Sequence, residues 1–120
     1  MAELEFLIQA TKRDLIVSMP QITHSYDFLV DNGKRILKVQ IKSNFQNGPY
    51  YGLSIGQGSS SKNHYSLKEV DVIACFIGEI RAWYLFPMTT LEEKIKITVF
   101  PDSINSKWNK YRDAWGVLLN

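Results

Sequence analysis

The chain has 120 residues, yet it contains one cysteine, four prolines and a formal charge of only +2. A single cysteine forms neither an internal disulfide nor a thiolate metal centre, which excludes disulfide scaffolds and zinc ribbons. Cys75 lies in the apolar run Val72-Ile73-Ala74-Cys75-Phe76-Ile77, where a half-buried strand wants a small hydrophobe. A packing role in a reducing, cytoplasmic setting is therefore expected. No stretch is long and apolar enough to span a bilayer, and Met1-Ala2-Glu3-Leu4-Glu5 has no basic n-region or apolar core. The expectation is a chain that is neither exported nor anchored, with no membrane partner. A sequence pI of about 8.7 permits a nucleic-acid partner without arguing for one, because strongly basic binders lie higher.

What is present is 45% hydrophobic content, enough for one real core and too little chain for two, so residues 1–120 are read as a single domain. From about Ala2 to Arg13, Leu4, Leu7, Ile8 and Thr11 keep helical one-face spacing. Leu15-Ile16-Val17 reads as a brief strand before Pro20. Tyr26 to Asp31 and Arg35 to Ser43 are strand-forming runs separated by Asp31-Asn32-Gly33-Lys34, and Asn-Gly suits a two-residue type I′ hairpin. Pro49 to Ile55, Val72 to Ile77, Ile80 to Phe86 and Ile95 to Phe100 are further strands, with Gly78-Glu79 joining the middle two. Ile104, Trp108, Tyr111, Trp115 and Leu118 at helical spacing, after Asp102 or Ser103 as a cap, predict a closing helix. Strands between two helical ends make an α+β layered domain.

The hairpin supports a geometric deduction. With Asn32 and Gly33 as the loop, Asp31 pairs with Lys34 and Asp27 falls opposite Lys38. Alternation then places Lys38, Gln40 and Lys42 on one face and Leu37, Val39 and Ile41 on the other. Asp27 becomes a diagonal neighbour of Gln40, within about 7 Å. A hard cation such as Mg²⁺ takes oxygen ligands, which Asp27, the Gln40 amide and the Ile41 main-chain carbonyl supply. It would polarise a phosphodiester and acidify a water, while Lys42 holds the nucleophile or offsets developing charge. On pattern alone, a carboxylate among lysines on a sheet face is more often a solvated ion-pair surface.

Other signals are weaker. Gly56-Gln57-Gly58-Ser59-Ser60-Ser61-Lys62 lacks the Gly-Lys-Ser/Thr ending of a phosphate loop, so no nucleotide cofactor is expected. As a hairpin tip, the stretch offers Gln57, Lys62, Asn63 and His64 as DNA contacts, or is simply solvated loop. His24 and His64 lack partners at metal spacing and read as surface or turn residues, though His24 lies close before Asp27 and can reach a phosphate. The basic pairs at Lys12-Arg13 and Lys34-Arg35, and the group Lys107, Lys110 and Arg112, read as ordinary surface charge. Trp108, Tyr111 and Trp115 read as core, with a subunit interface as the competitor.

Tyr26-Asp27-Phe28-Leu29-Val30-Asp31 followed by Val39-Gln40-Ile41-Lys42-Ser43 resembles the PD-(D/E)xK nuclease core in its QxK variant. Tyrosine replaces the proline, and glutamine the second acid. Ala2-Glu3-Leu4-Glu5-Phe6, Trp83-Tyr84-Leu85-Phe86-Pro87 and Lys110-Tyr111-Arg112-Asp113-Ala114-Trp115 extend the resemblance over nearly the whole chain. It is to small bacterial proteins related to group I intron homing endonucleases, and more remotely to archaeal Holliday junction resolvases. The resemblance implies a restriction-endonuclease-like α+β fold with a central mixed sheet flanked by N- and C-terminal helices. It further implies an Mg²⁺-dependent endonuclease of double-stranded DNA, with Mn²⁺ substituting, acting as a homodimer or homotetramer. Catalytic residues would be Glu3, Asp27, Gln40 and Lys42, with Glu3, Asp27, Gln40 and Ile41 at the metal and Glu5 as the alternative helical acid. A junction resolvase and a DNA-binding module without cleavage are the competing readings.

Overall fold

The apolar spacing of the first dozen residues winds α1 (Ala2–Lys12), whose Ala2, Phe6 and Ala10 are buried. Glu3 and Glu5 in its first turn and Lys12 in its last complement the helix dipole. The helix stops where Asp14 takes a left-handed φ of 59°. The Leu15 N–H then reaches back to Ala10 O and the Asp14 N–H to Thr11 O, the paired bonds of a Schellman closure. The computed structural model describes residues 2–21, 25–56, 69–91 and 94–120.

Among the described residues seven strands follow: β1 (Ile16–Ser18), β2 (Phe28–Asp31), β3 (Ile36–Asn44), β4 (Tyr51–Ser54), β5 (Val72–Ile77), β6 (Ala82–Pro87) and β7 (Lys96–Val99). Five form a mixed sheet in the order β1-β2-β3-β5-β6, while β4 and β7 pair as a separate two-stranded ribbon. All neighbours in the sheet are antiparallel except β3 and β5, which run parallel. Every residue of β5 is buried, as a strand covered on both faces requires. The α+β class and the mixed sheet are those expected.

Alternation along the strands divides the apolar residues into two cores, one on each face. Phe6 of α1, together with Phe28, Val39, Ile41, Ala74, Phe76 and Trp83, fills the first. Ile73, Cys75, Tyr84 and Phe86 fill the second, under Tyr51, Leu53, Ile97 and Val99 of the ribbon. The ribbon is also tied by polar bonds. Glu79 accepts from the Tyr51 hydroxyl and from the Gly48 N–H at 3.0 Å. Those bonds hold the Glu79 carboxyl below its ordinary range, and the Tyr51 hydroxyl is pushed up to about 12, chiefly by its bond to Glu79.

Three local expectations need correction. The β2–β3 turn is centred one residue later than Asn-Gly implies, since the Asn32 N–H bonds to Arg35 O and only Gly33, at φ 87°, is left-handed. The cause is the Asn32 side chain. Its Oδ1 accepts the N–H groups of Lys34 and Arg35, and its Nδ2 donates to Leu118 O at 2.8 Å, so asparagine serves as a side-chain anchor rather than a left-handed turn residue. The β5–β6 turn spans Gly78 to Arg81 with Arg81 at φ 52°.

The predicted closing helix is not continuous. A 3₁₀ turn (Asn109–Tyr111) and a four-residue helix α2 (Gly116–Leu119) are separated by an extended Arg112 and an Asp113 at φ 51°. The reason is that its apolar residues serve different faces: Trp108 and Tyr111 pack on the ribbon-side core, Trp115 and Leu118 on the α1 side. One straight helix presents one stripe and cannot do both. The chain passes round the edge of β6 between them, with Arg112 bridging Tyr84 and the Asp113 N–H bonding to Trp83 O at 2.7 Å.

Phe6 is fully buried and its ring stacks on Phe28 and meets both Trp83 and Trp115 at under 6 Å. Phe6→Ala is expected to destabilise the fold by about 3–5 kcal/mol, read from denaturant midpoints at unchanged slope. A loss below about 1 kcal/mol would show that this core collapses around the deletion.

Candidate active site

The site grows from the middle of β3. In its parallel register with β5, Gln40 is opposite Ile73 and Lys42 opposite Cys75. Both therefore face the ribbon side, while Val39 and Ile41 enter the α1 core. Lys42 is half-buried and its Nζ donates to Gly56 O at 3.1 Å. Its charge is felt by Cys75, although burial dominates there and pushes the thiol up to about 12 against the lowering pull of Lys42.

Asp27 lies just before β2. Its N–H donates to Val39 O at 2.9 Å, and its Oδ2 accepts the Ile41 N–H at 2.8 Å. Asp27 is thus bonded to both chain neighbours of Gln40. Lys38 is opposite Leu29 rather than Asp27, because the turn is displaced by one residue on each strand. That shift of two in register preserves every facing direction and brings Asp27 nearer to Gln40 than the expected diagonal. The Gln40 Nε2 lies 3.4 Å from Ile41 O, and turning the amide over presents Oε1 to the same space.

Neighbouring bonds fix this region, and sequence reasoning missed them. Ser25 Oγ donates to Glu69 Oε2 at 2.9 Å, which anchors the segment leading to Asp27. Asp71 performs for β5 what Asp27 does for β2: its Oδ2 accepts the Lys38 N–H at 2.8 Å, and its own N–H donates to Lys38 O at 2.8 Å. An acid immediately before a strand, Asp27 before Phe28 and Asp71 before Val72, is the one signal that was readable. A main-chain acceptor such as Gly56 O leaves no trace in residue type.

Glu3 is exposed on α1, which packs on the face of β3 opposite Gln40 and Lys42. Among the described residues it makes no hydrogen bond or ion pair with Asp27, Gln40 or Lys42. Glu5, the alternative helical acid, instead pairs with Arg81 Nη2 at 3.6 Å on the β5–β6 turn. His24, Gln57, Lys62, Asn63 and His64 lie outside the described residues.

The groups that could hold a metal here are therefore the Asp27 carboxylate, the Gln40 amide oxygen and the Ile41 carbonyl. A strand residue directs its N–H and C=O toward the same neighbour, so Ile41 O points to the side from which Asp27 approaches. Three oxygens with one formal charge fit a hard divalent cation, and they fit it weakly. Among the described residues no group of three or more His, Cys, Asp or Glu side chains gathers as a metal site, at this point of the sheet or elsewhere.

A mixed sheet with an acid at the start of one strand and Gln-x-Lys on the next defines a nuclease of the PD-(D/E)xK type. The family model for PD-(D/E)XK endonucleases matches residues 1–118, and the chain belongs to that family. Nucleases of this type generally use divalent metal ions. Among solved structures, a bacterial homing endonuclease superposes with a TM-score of 0.78 at 22% identity, covering 98% of this chain and 86% of that one. The Holliday junction resolvase of the archaeal hyperthermophile Archaeoglobus fulgidus gives 0.54 at 15% identity, covering 82% and 80%. At those identities the likeness is one of fold. No curated protein matches the chain.

Cys75 is fully buried, so its thiol is expected to ignore an aromatic disulfide reagent in the native protein and to react once on unfolding. Its folded value near 12 exceeds the ordinary 9.0. The stability associated with the neutral thiol is thus complete below about pH 9 and is lost as pH rises toward 12. Cys75→Ala should flatten that alkaline decline in melting temperature; an unchanged decline would assign it to other groups.

Proposed function

We propose that this protein is a metal-dependent endonuclease that hydrolyses phosphodiester bonds in double-stranded DNA, in the manner of a homing endonuclease. The observation that carries the reading is the Asp27 carboxylate bonded to the Ile41 N–H beside Gln40, two residues from a Lys42 ammonium anchored on Gly56 O. Asp27, Gln40 and Ile41 O would hold Mg²⁺, for which Mn²⁺ would substitute; Glu3, the helical acid that the family resemblance implies, stands on the opposite face of β3 and would join them only if α1 shifted on the sheet. When bound, the cation supplies positive charge to the scissile phosphate and acidifies water. The Ile41 N–H fixes one Asp27 oxygen and leaves the other to face the site. Lys42 orients the attacking water and offsets the negative charge that develops on the phosphate as one P–O bond forms and another breaks. One site per subunit cuts one strand, so a homodimer or homotetramer working in the cytoplasm is the unit that severs a duplex.

The test is cleavage of plasmid and of a synthetic four-way junction with Mg²⁺ or Mn²⁺, comparing wild type with Asp27→Ala, Lys42→Ala and Glu3→Gln. Metal-dependent cleavage that falls by about 10²-fold or more in the first two variants supports the site. Cleavage indifferent to them overturns it, and cleavage indifferent to Glu3→Gln alone removes Glu3 from the metal set. Preference for the junction would redirect the reading to a resolvase; DNA binding without cleavage under any metal would leave a binding module.

Gln40→Glu adds a charged oxygen where a neutral amide stands. It is expected to lower the Mg²⁺ concentration needed for half-maximal cleavage by about tenfold. No change in that concentration would place Gln40 outside the metal set.

A further inference from the structure

Beyond Lys42, β3 continues into a cavity of about 390 Å³ lined by Ser43, Asn44, Phe45, Gln46, Gly52, Ser54 and Lys96. Asn44 shares the ribbon-side face with Gln40 and Lys42 and stands two residues past the lysine, about 6.7 Å along the strand. It is buried and forms the floor. Its Nδ2 donates to Gly52 O at 2.7 Å, and its Oδ1 accepts the Gln46 N–H at 2.7 Å. The loop after it is braced by Phe45, whose ring packs where a side chain on Gly78 would be and tilts against Phe76 at 6.1 Å.

Lys96 supplies the charge. On the ribbon it is paired with Ser54, and its chain lies across the bare backbone of Gly52, where an added Cβ would sit 3.3 Å from Lys96 Cε and 3.9 Å from Nζ. The absence of a side chain at Gly52 is what lets the lysine run along the ribbon into the cavity. Lys96 forms no ion pair with any carboxylate among the described residues. The same ribbon face carries Ser54 and Thr98, while Tyr51, Leu53, Ile97 and Val99 of the other face are buried in the core. A two-stranded ribbon with a small, polar, cationic outer face is a shape that lies along a nucleic-acid backbone.

We propose that this cavity is a backbone-phosphate subsite, in which Lys96, with the hydroxyl of Ser54, grips a phosphate of the DNA strand close to the one at the Lys42 site. The subsite rests on the endonuclease reading above. It positions the strand and reads no base, because its donors are a lysine point charge and a hydroxyl on an open face. The floor of the subsite stands two residues past Lys42 on β3, about 6.7 Å along the strand, so both contacts fall on one short stretch of the same DNA strand.

The experiment measures binding of the full chain to two fluorescent duplexes of unrelated sequence, by anisotropy over a series of salt concentrations without a cleaving metal. Lys96→Ala is expected to weaken both duplexes alike and to reduce the slope of log affinity against log salt by about 0.9, the equivalent of one phosphate. Lys96→Arg should retain the slope. Gly52→Val, which fills the track under the lysine while favouring a strand backbone, should reproduce the loss with no fall in melting temperature. An unchanged slope in Lys96→Ala overturns the subsite and leaves the endonuclease reading standing. Loss on one duplex alone also overturns it, since the contact would then be to a base. Wild-type protein that binds neither duplex overturns both.

Discussion

The structure turns on the main chain of β3 between Lys38 and Ile41, which two aspartates grip from opposite sides. Asp27 accepts the Ile41 N–H and Asp71 accepts the Lys38 N–H. Each acid stands one residue before a flanking strand, where the ladder has yet to begin and a backbone donor would otherwise lack a partner. The carboxylates therefore finish the sheet at the level where β2 and β5 start. Hydrogen bonds to a carboxylate are among the stronger kind, which gives Asp27 a position set by the backbone rather than by side-chain packing.

That arrangement joins stability to chemistry. The residues that flank Gln40, Val39 and Ile41, are buried in the α1 core, so the strand cannot slide. Gln40 and Lys42 are consequently held on the opposite face with little freedom, and Gly56 O takes up the ammonium. A rigid strand between two cores is a better platform for ligands than a loop, because small displacements there cost packing on both faces. The neutral Gln40 in place of an acid leaves this face of β3 with less negative charge, which in the proposed site would weaken the hold on a cation and reduce repulsion toward a phosphate.

Most of the strands were legible because alternation and β-branched runs are strong signals where one or both faces are buried, as in Val72–Ile77 and Ala82–Pro87. The face shared by Gln40 and Lys42 was legible for the same reason, and survived a misplaced turn since a shift of one residue on each strand leaves parity intact. The turn itself was misread because Asn32 bonds through its side chain to Leu118 O, a partner 86 residues away that local turn rules do not contain. The closing segment was misread because helical spacing of Trp108, Tyr111, Trp115 and Leu118 is satisfied equally by two short turns that feed two different cores. The placement of Glu3 on the far layer depends on how α1 crosses the sheet, which no residue pattern encodes, and the lysine track over Gly52 depends on a pairing between β4 and β7 some forty residues apart.

The passage of Arg112 and Asp113 along β6 has a consequence for assembly. An open edge strand invites another chain to dock by backbone pairing, the usual route to open-ended stacking. Here one margin of the sheet is occupied by the protein's own C-terminal segment and the other is the three-residue β1, too short to template a ladder. The five-stranded sheet therefore offers a neighbouring chain no long open ladder at either margin.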